Sequence, residues 1–344
     1  MRFGFIHVPL EPRRSIAMIQ EAERLAFDTA WVPDQNFHPD AFALLGAAAL
    51  QTERVRLGLG VTNPFTMHPV ITARGAGTVQ ELSNGRFVLG YGTGNRREYL
   101  TPLGHEFTRA PERCGEGIRI MRALLAGEEV RHRSELFVAD GVKLKFLARP
   151  TPLYVSGIGP RILRVAGAVA DGVIINFATP RALEWALGEV RAGAVDARRM
   201  LDGLPVVAWV ICLVTPDKQV AYDGIRPFIA HTAAPTNESV LRAVGVPADV
   251  IAPLKRAYQE EGPKVASRYV SNAMCDIWAV IGEPDEVAER VRQLGESHVT
   301  EVALLPWARD VGEVLETARR FSADVMPKAR ECATSGRVTS RDPT

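Results

Sequence analysis

The sequence predicts an α/β protein, a (β/α)8 TIM-type barrel with insertions after strands 4 and 7. Three observations predict it. Short apolar runs alternate with longer amphipathic stretches along nearly the whole chain, the pattern of a parallel sheet with crossover helices. Eight such runs begin at Arg2, Ala30, Val55, Phe87, Leu153, Gly172, Pro205 and Glu301. The 344 residues, 47% of them apolar, suffice for one large closed sheet and its core. Eight βα units in a chain of this length favour a closed barrel over an open doubly wound sheet.

The elements follow in order. Residues 2–8 read as a strand. Residues 15–28 carry Ile16, Ile19, Ala22, Leu25 and Ala26 at helical spacing, with Ser15 as the expected N-cap. Then come the run 30–32, a helix over 41–50, a strand over 55–61 and a helix over 72–82. Ser83-Asn84-Gly85 is a turn before the strand at 87–91. The rhythm breaks after this fourth strand. A helix over 112–125 is followed by residues 136–146, where Asp140-Gly141 between apolar runs predicts a hairpin turn. The rhythm resumes with a strand at 153–155, a helix over 160–169 and a strand at 172–175. A long helix lies within 180–201, and a strand covers 205–214. Residues 217–269 read as an irregular helical insertion. A helix over 284–294, a strand at 301–305 and a helix over 311–321 complete the barrel. Residues 1–330 are expected to form a single barrel domain, and 331–344 a polar, mobile tail.

Bulk composition narrows the function classes. Charged residues make up 24% and the formal net charge is +1, so no global field selects nucleic acid, a membrane surface or a polyanion. Cys114, Cys212, Cys275 and Cys332 lie far apart without a C-x-x-C pair, which predicts reduced thiols in a cytoplasmic protein. The start, M-R-F-G-F-I-H-V, lacks the features of a signal peptide, and no stretch approaches a membrane span. No His, Asp and Glu cluster has ligand spacing, so no metal is expected.

In a barrel, chemistry belongs to the loops after the strands. That rule selects His7, Asp34-Gln35, Asn176 and the segments 60–63, 92–95 and 156–159. The run S-G-I-G-P at 156–160 suits an anion, because small residues expose backbone N–H groups and a helix N-terminus follows. A dinucleotide fold would need an acid ending the next strand. That strand ends in Asn176-Phe177, and Asp171 precedes it, so NAD binding is discounted. G-Y-G-T-G at 90–94 opens no helix in the regular G-x-G-x-x-G spacing. His7 faces either the pocket floor or the core, and His68 before Pro69 reads as part of a helix start.

Four motifs occur together: G-V-T-N-P-F-T-M-H-P at 60–69, L-S-N-G-R-F with L-G-Y-G-T-G-N across 82–95, Y-V-S-G-I-G-P-R at 154–161 leading to L-R-V-A-G-A-V-A-D-G-V-I-I-N at 163–176, and I-G-E-P-D-E-V-A-E-R-V at 281–291. With them the chain resembles the luciferase-like flavin and deazaflavin oxidoreductases, in particular the branch of coenzyme F420-dependent methylenetetrahydromethanopterin reductases. The resemblance implies coenzyme F420 as cofactor, with FMN as the alternative. It implies hydride transfer between the deazaflavin C5 and a small organic substrate, in the reducing direction. The alternatives are an FMN-dependent monooxygenase using reduced flavin and O2, and a non-catalytic cofactor-binding barrel. It also implies a non-prolyl cis bond between Gly60 and Val61 that backs the ring, a phosphate held by Ser156, Gly157, Ile158 and Gly159, and contacts from Asp34, Asn63, Thr93, Gly94 and Glu98. The catalytic positions would be Asp34, Gln35 and Asn95. Related deazaflavin enzymes carry a histidine where Gln35 stands, and sugar-phosphate dehydrogenases a glutamate where Asn95 stands. An amide cannot serve as a general acid near neutral pH. The pair used for alcohol oxidation is therefore missing, which fits reduction of an activated C=C or C=N bond. Relatives also imply a homodimer.

Overall fold

The computed structural model describes residues 1–34, 37–146, 149–307 and 311–335. Its strands are β1 (Arg2–Ile6), β2 (Thr29–Val32), β3 (Arg56–Thr62), β4 (Phe87–Gly92), β5 (Val130–Arg133), β6 (Val138–Val142), β7 (Leu153–Ser156), β8 (Gly172–Ile175), β9 (Val206–Val214), β10 (Ala279–Gly282) and β11 (Glu301–Pro306). One sheet runs β10-β9-β11-β1-β2-β3-β4-β7-β8, and β8 pairs again with β9. Eight strands thereby close a ring, with β10 added along β9. Parallel registers such as Gly4↔Thr29, Ala30↔Leu57 and Tyr91↔Val155 make it the α/β barrel expected from the sequence.

The chain divides into two compact units. One comprises Gly4–Asn176 and Glu184–Val207. Its helices include α1 (Pro12–Arg24), α2 (Ala41–Ala49), α3 (Pro69–Leu82), α4 (Ala110–Leu125) and α5 (Pro160–Val169). Strands β2, β4 and β8 are buried at every position, as expected of a parallel sheet covered on both faces. The other comprises Met1–Phe3, Phe177–Leu183 and Ala208–Thr344. There Phe3 packs edge-on against Phe321 at 5.6 Å. Arg290 ties together Asp276, Ala178 O and Ala279 O. The I-G-E-P-D-E motif is a strand-to-helix junction in this unit: β10 ends at Gly282, Pro284 opens the helix Pro284–Glu296, and Glu283 N–H donates to Glu286.

Three local expectations need correction. Ser15 does not cap α1, which starts three residues earlier behind Glu11. Proline is tolerated in a first turn because its missing N–H would have no helical partner, so Pro12 begins the helix. The Ser15 hydroxyl instead donates back to Glu11 O inside the helix. Asp140-Gly141 does not turn the hairpin, because it lies within β6 and the turn falls between Arg133 and Val138. Val142 pairs with Val130 and Asp140 with Arg131, so Gly141 is the extra residue of a bulge, at φ 68°. A type I′ turn and a glycine bulge both require positive φ, and the dipeptide signals either. The third is β10, which lies in the stretch 270–283, for which the sequence pattern predicts no element. The insertion itself resolves into helices at Lys218–Ala233, Glu238–Val244, Ala248–Glu261 and Pro263–Ala266. The last helix runs Met326–Ser335, and the remainder of the expected tail lies outside the described residues.

Candidate functional site

Those of the predicted site residues that are described lie at or after the C-terminal ends of β2, β3, β4 and β7, all within one unit. The Gly60-Val61 peptide bond is cis. The β3–β4 register slips at this point, from Leu59↔Leu89 to Thr62↔Tyr91. The extra residue makes a bulge, and its Val61 side chain leans on β4. A Cβ on Gly90 would stand 2.5 Å from Leu59 O and 2.7 Å from Val61 Cγ1; one on Gly92 would stand 2.9 Å from Val61 Cγ2. The glycines of the G-Y-G run thus make room for the bulge. Gly92 in turn pairs with Ser156, which connects the bulge to the loop after β7.

Beyond the bulge, Thr62 and Asn63 are buried. The Asn63 amide oxygen accepts from the N–H groups of Phe65 and Thr66, and its nitrogen donates to Thr66 Oγ1 at 3.0 Å. This ties the 63–66 loop into a fixed turn. Gly94, at φ 79°, lies against it: a Cβ there would sit 3.1 Å from Asn63 Cβ. After Gly94 the Asn95 carbonyl accepts from both Tyr99 N and Leu100 N, and Arg96–Leu100 forms one π-helical turn. Such turns recur at functional sites. Thr93, Gly94 and Asn95 are half-buried around the opening.

Asp34 is half-buried behind β2, and burial pushes its carboxyl above the usual range. The Thr62 hydroxyl works in the opposite direction, and the charge of Asp40 reinforces burial. Thr62 Oγ1 lies toward this carboxyl without closing a hydrogen bond, and is buried with no partner among the described residues. Tyr99, on the π turn, is also raised, first by burial and then by Asp34. Sequence reasoning included Thr62 only as part of the 60–63 segment, with no role for its hydroxyl, and did not select Tyr99. Threonine in an apolar strand reads as a β-former, and nothing in the spacing marks a hydroxyl left over. Gln35 and the side chain of Glu98 lie outside the described residues.

At the other end of the site, residues 156–159 are half-buried. A Cβ on Gly157 would collide with Ile162 Cγ2 at 2.2 Å, so only glycine lets the loop fold over the first turn of α5. Gly159 caps α5 without a side-chain hydrogen bond, and nothing stands within 4 Å of where its Cβ would be. The N-terminus of α5 thus carries no side-chain cap, and an uncapped helix start is an arrangement that suits an anion.

The two histidines fall on the structural side. His7 Nε2 bonds Ser15 Oγ at 3.0 Å, and burial, helped by Arg14, lowers its pKa to about 4. It is a neutral core histidine. His68 caps α3 by accepting from Val70 N at 3.2 Å. Among the described residues no three His, Cys, Asp or Glu side chains are arranged to hold a metal ion, and no helix is long and apolar enough to cross a membrane.

Comparison with known proteins places these features in context. The family model described as luciferase-like monooxygenase matches residues 2–301. The chain is 31% identical to a 5,10-methylenetetrahydromethanopterin reductase of Archaeoglobus fulgidus over 88% of its own length and 92% of that protein's. It is 30% identical to an F420-dependent glucose-6-phosphate dehydrogenase of Beutenbergia cavernae, covering 93% of this chain and 94% of that one. Among solved structures it is similar to the coenzyme F420-dependent tetrahydromethanopterin reductase of Methanopyrus kandleri, with a TM-score of 0.83 and 25% identity over 95% of this chain and 98% of that one.

Proposed function

This chain belongs to the luciferase-like monooxygenase family, and from that premise we propose that it is a coenzyme F420-dependent oxidoreductase acting as a reductase on a small organic substrate. The observation that carries the reading is its likeness, along nearly the whole chain, to a reductase dependent on that coenzyme. A bound deazaflavin would supply a hydride at its C5, the chemistry being the cofactor's own. The residues present fit such a group. The Val61 bulge offers a wall for a flat ring, and the buried Thr62 hydroxyl lacks a partner that a ring heteroatom would provide. The 156–159 loop with the uncapped start of α5 would hold an ester phosphate.

Asp34 holds a proton more readily than an ordinary aspartate, and it stands at the polar edge of the site. Asn95 and Gln35 supply amides, which hydrogen-bond but do not titrate. Asn63 and Gly94 fix the shape of the opening, while Thr93 and Glu98 are assigned to the cofactor's polar chain. We read the direction as reductive: Asp34, which keeps its proton more readily than an ordinary aspartate, would deliver the one proton that reduction of a polarised double bond needs, while the amides of Asn95 and Gln35 cannot take the proton of an alcohol.

Fluorescence titration with F420 and with FMN tests the reading. Saturable quenching of F420 alone supports it, and F420H2-dependent reduction becomes the next assay. Saturable binding of FMN alone overturns it in favour of flavin chemistry with oxygen.

We also propose a homodimer built on the outer faces of α2 and α3. Helix α2, A-F-A-L-L-G-A-A-A, is apolar on every side, the pattern of a covered helix. Beside it Leu50, Ile71 and Leu82 are exposed. A dimeric mass by light scattering that becomes monomeric in Leu50→Asp supports this; a monomeric wild type overturns it. Residues 1–330 are taken as one barrel domain, which a single cooperative unfolding transition checks.

A further inference from the structure

We propose that Arg161 is an anchor for the cofactor's phosphate, and that Glu112 is the carboxylate it must leave to take that role. The proposal rests on the coenzyme reading above. Arg161 lies in the first turn of α5, directly after Pro160. A cation there faces the positive end of the helix, an unfavourable place unless an anion is near. Arg161 follows Gly159, the N-cap that gives α5 no side-chain hydrogen bond, by two residues, and a helical side chain directed toward its N-terminus would reach an anion seated there.

The anion it meets in this structure is Glu112 Oε1, in the first turn of α4. The partnership is lopsided. Glu112 sits where its own helix favours negative charge, so it stays stabilised if the arginine departs. Arg161 has no such second support. The carboxylate is also only half used, because Glu112 Oε2 is buried without a hydrogen-bond partner among the described residues. The neighbouring Arg164 does not compete for the role, since it is committed to Glu189 at 2.8 Å. Arg161 thus has a mobile allegiance. A phosphate ester seated against Gly159 offers several oxygens, and a guanidinium can bind two of them at once. Glu112 then acts as an internal competitor that holds the arginine until the phosphate arrives.

The test compares F420 with its phosphate-free core, 8-hydroxy-5-deazariboflavin, by quenching of ligand fluorescence. Arg161→Gln is expected to weaken F420 by about tenfold and leave the core's affinity unchanged. Glu112→Gln is expected to tighten F420 by about two- to fivefold, again without change for the core. The double variant separates loss of an anchor from repulsion by a bared carboxylate: it stays weak for F420 if Arg161 is the anchor and recovers fully if it is not. Core affinity doubles as the folding control. If a variant loses both ligands, Arg161→Lys is measured; a restored preference for F420 supports the proposal, and none overturns it. A Glu112→Gln variant that binds F420 more weakly makes the pair purely structural and also overturns it. Wild type that binds F420 and core equally removes the phosphate anchor but leaves the coenzyme reading intact. Wild type that binds neither removes both.

Discussion

At the N-terminal ends of β3 and β4, Arg86 donates five hydrogen bonds: to Ser83 O, Val55 O, Ala49 O, Thr52 O and Thr52 Oγ1, at 2.7 to 3.0 Å. Beside it Glu23 accepts from the N–H groups of Glu53, Arg54 and Val55, and Gln80 bridges Pro150 O and Phe87 N. At the opposite, C-terminal ends of β3 and its neighbours β2 and β7, Thr62 Oγ1 has no partner among the described residues, Asp34 resists ionisation and α5 begins uncapped. One end of the strand pair satisfies its polar groups from within, including carbonyls at the C-termini of α2 and α3. The other leaves them open. A buried polar group without a partner costs stability, and such costs persist where a ligand uses them.

Four measurements would break or sharpen this contrast. Arg86→Met should have the largest effect, lowering stability by about 4 kcal/mol in urea unfolding, since several acceptors lose their donor together. F420 affinity of the folded fraction should not change. Equal damage to both properties would dissolve the distinction between the ends.

His7 tests a satisfied group on the open side. Its folded pKa, about 4, lies below the unfolded value of 6.5, so the unfolded chain binds more protons between them. Its stability contribution is complete above pH 6.5 and is lost as pH falls toward 4, by roughly 3 kcal/mol in total. His7→Gln should flatten that slope in a pH series of unfolding curves.

Gly157→Ala should come next, costing about tenfold in F420 affinity, or ~1.4 kcal/mol, as the loop is forced off Ile162. An unchanged Kd would mean that the loop does not shape the phosphate seat.

The smallest effect belongs to Asp34. Its folded pKa is raised, so it stabilises the folded state fully below the ordinary carboxylate range and progressively less as pH rises through the raised value. Asp34→Asn should therefore be slightly more stable than wild type at neutral pH, with the gain fading in acid. A loss of stability at neutral pH would place Asp34 among the satisfied groups.

Much of this was legible in the sequence, and the failures have physical causes. The eight barrel strands were readable because each apolar run is short and followed by a helix-period stretch. Ala279-Val-Ile-Gly was not, because a fully buried four-residue strand shows no alternation to separate it from a helix. Pro12 outweighed Ser15 as the start of α1. The loop after β7 reads as a proposed anion seat from its small residues, whereas the Arg161–Glu112 pairing joins positions far apart in sequence. The cis bond was legible through family likeness alone, since Gly-Val carries no preference for it. Thr62 became notable only when its neighbours were in place.

The bulge at Val61 has a consequence for sequence change in the family. Its side chain occupies the space that methyl groups on residues 90 and 92 would need, so the three positions cannot drift independently. A chain carrying alanine at position 90 would also have to draw the bulge backbone away from Leu59 O, whereas alanine at 92 could be offset by a smaller residue at 61. Substitutions at 61 and 92 should therefore appear as compensating pairs, while glycine at 90 should be held by the backbone itself.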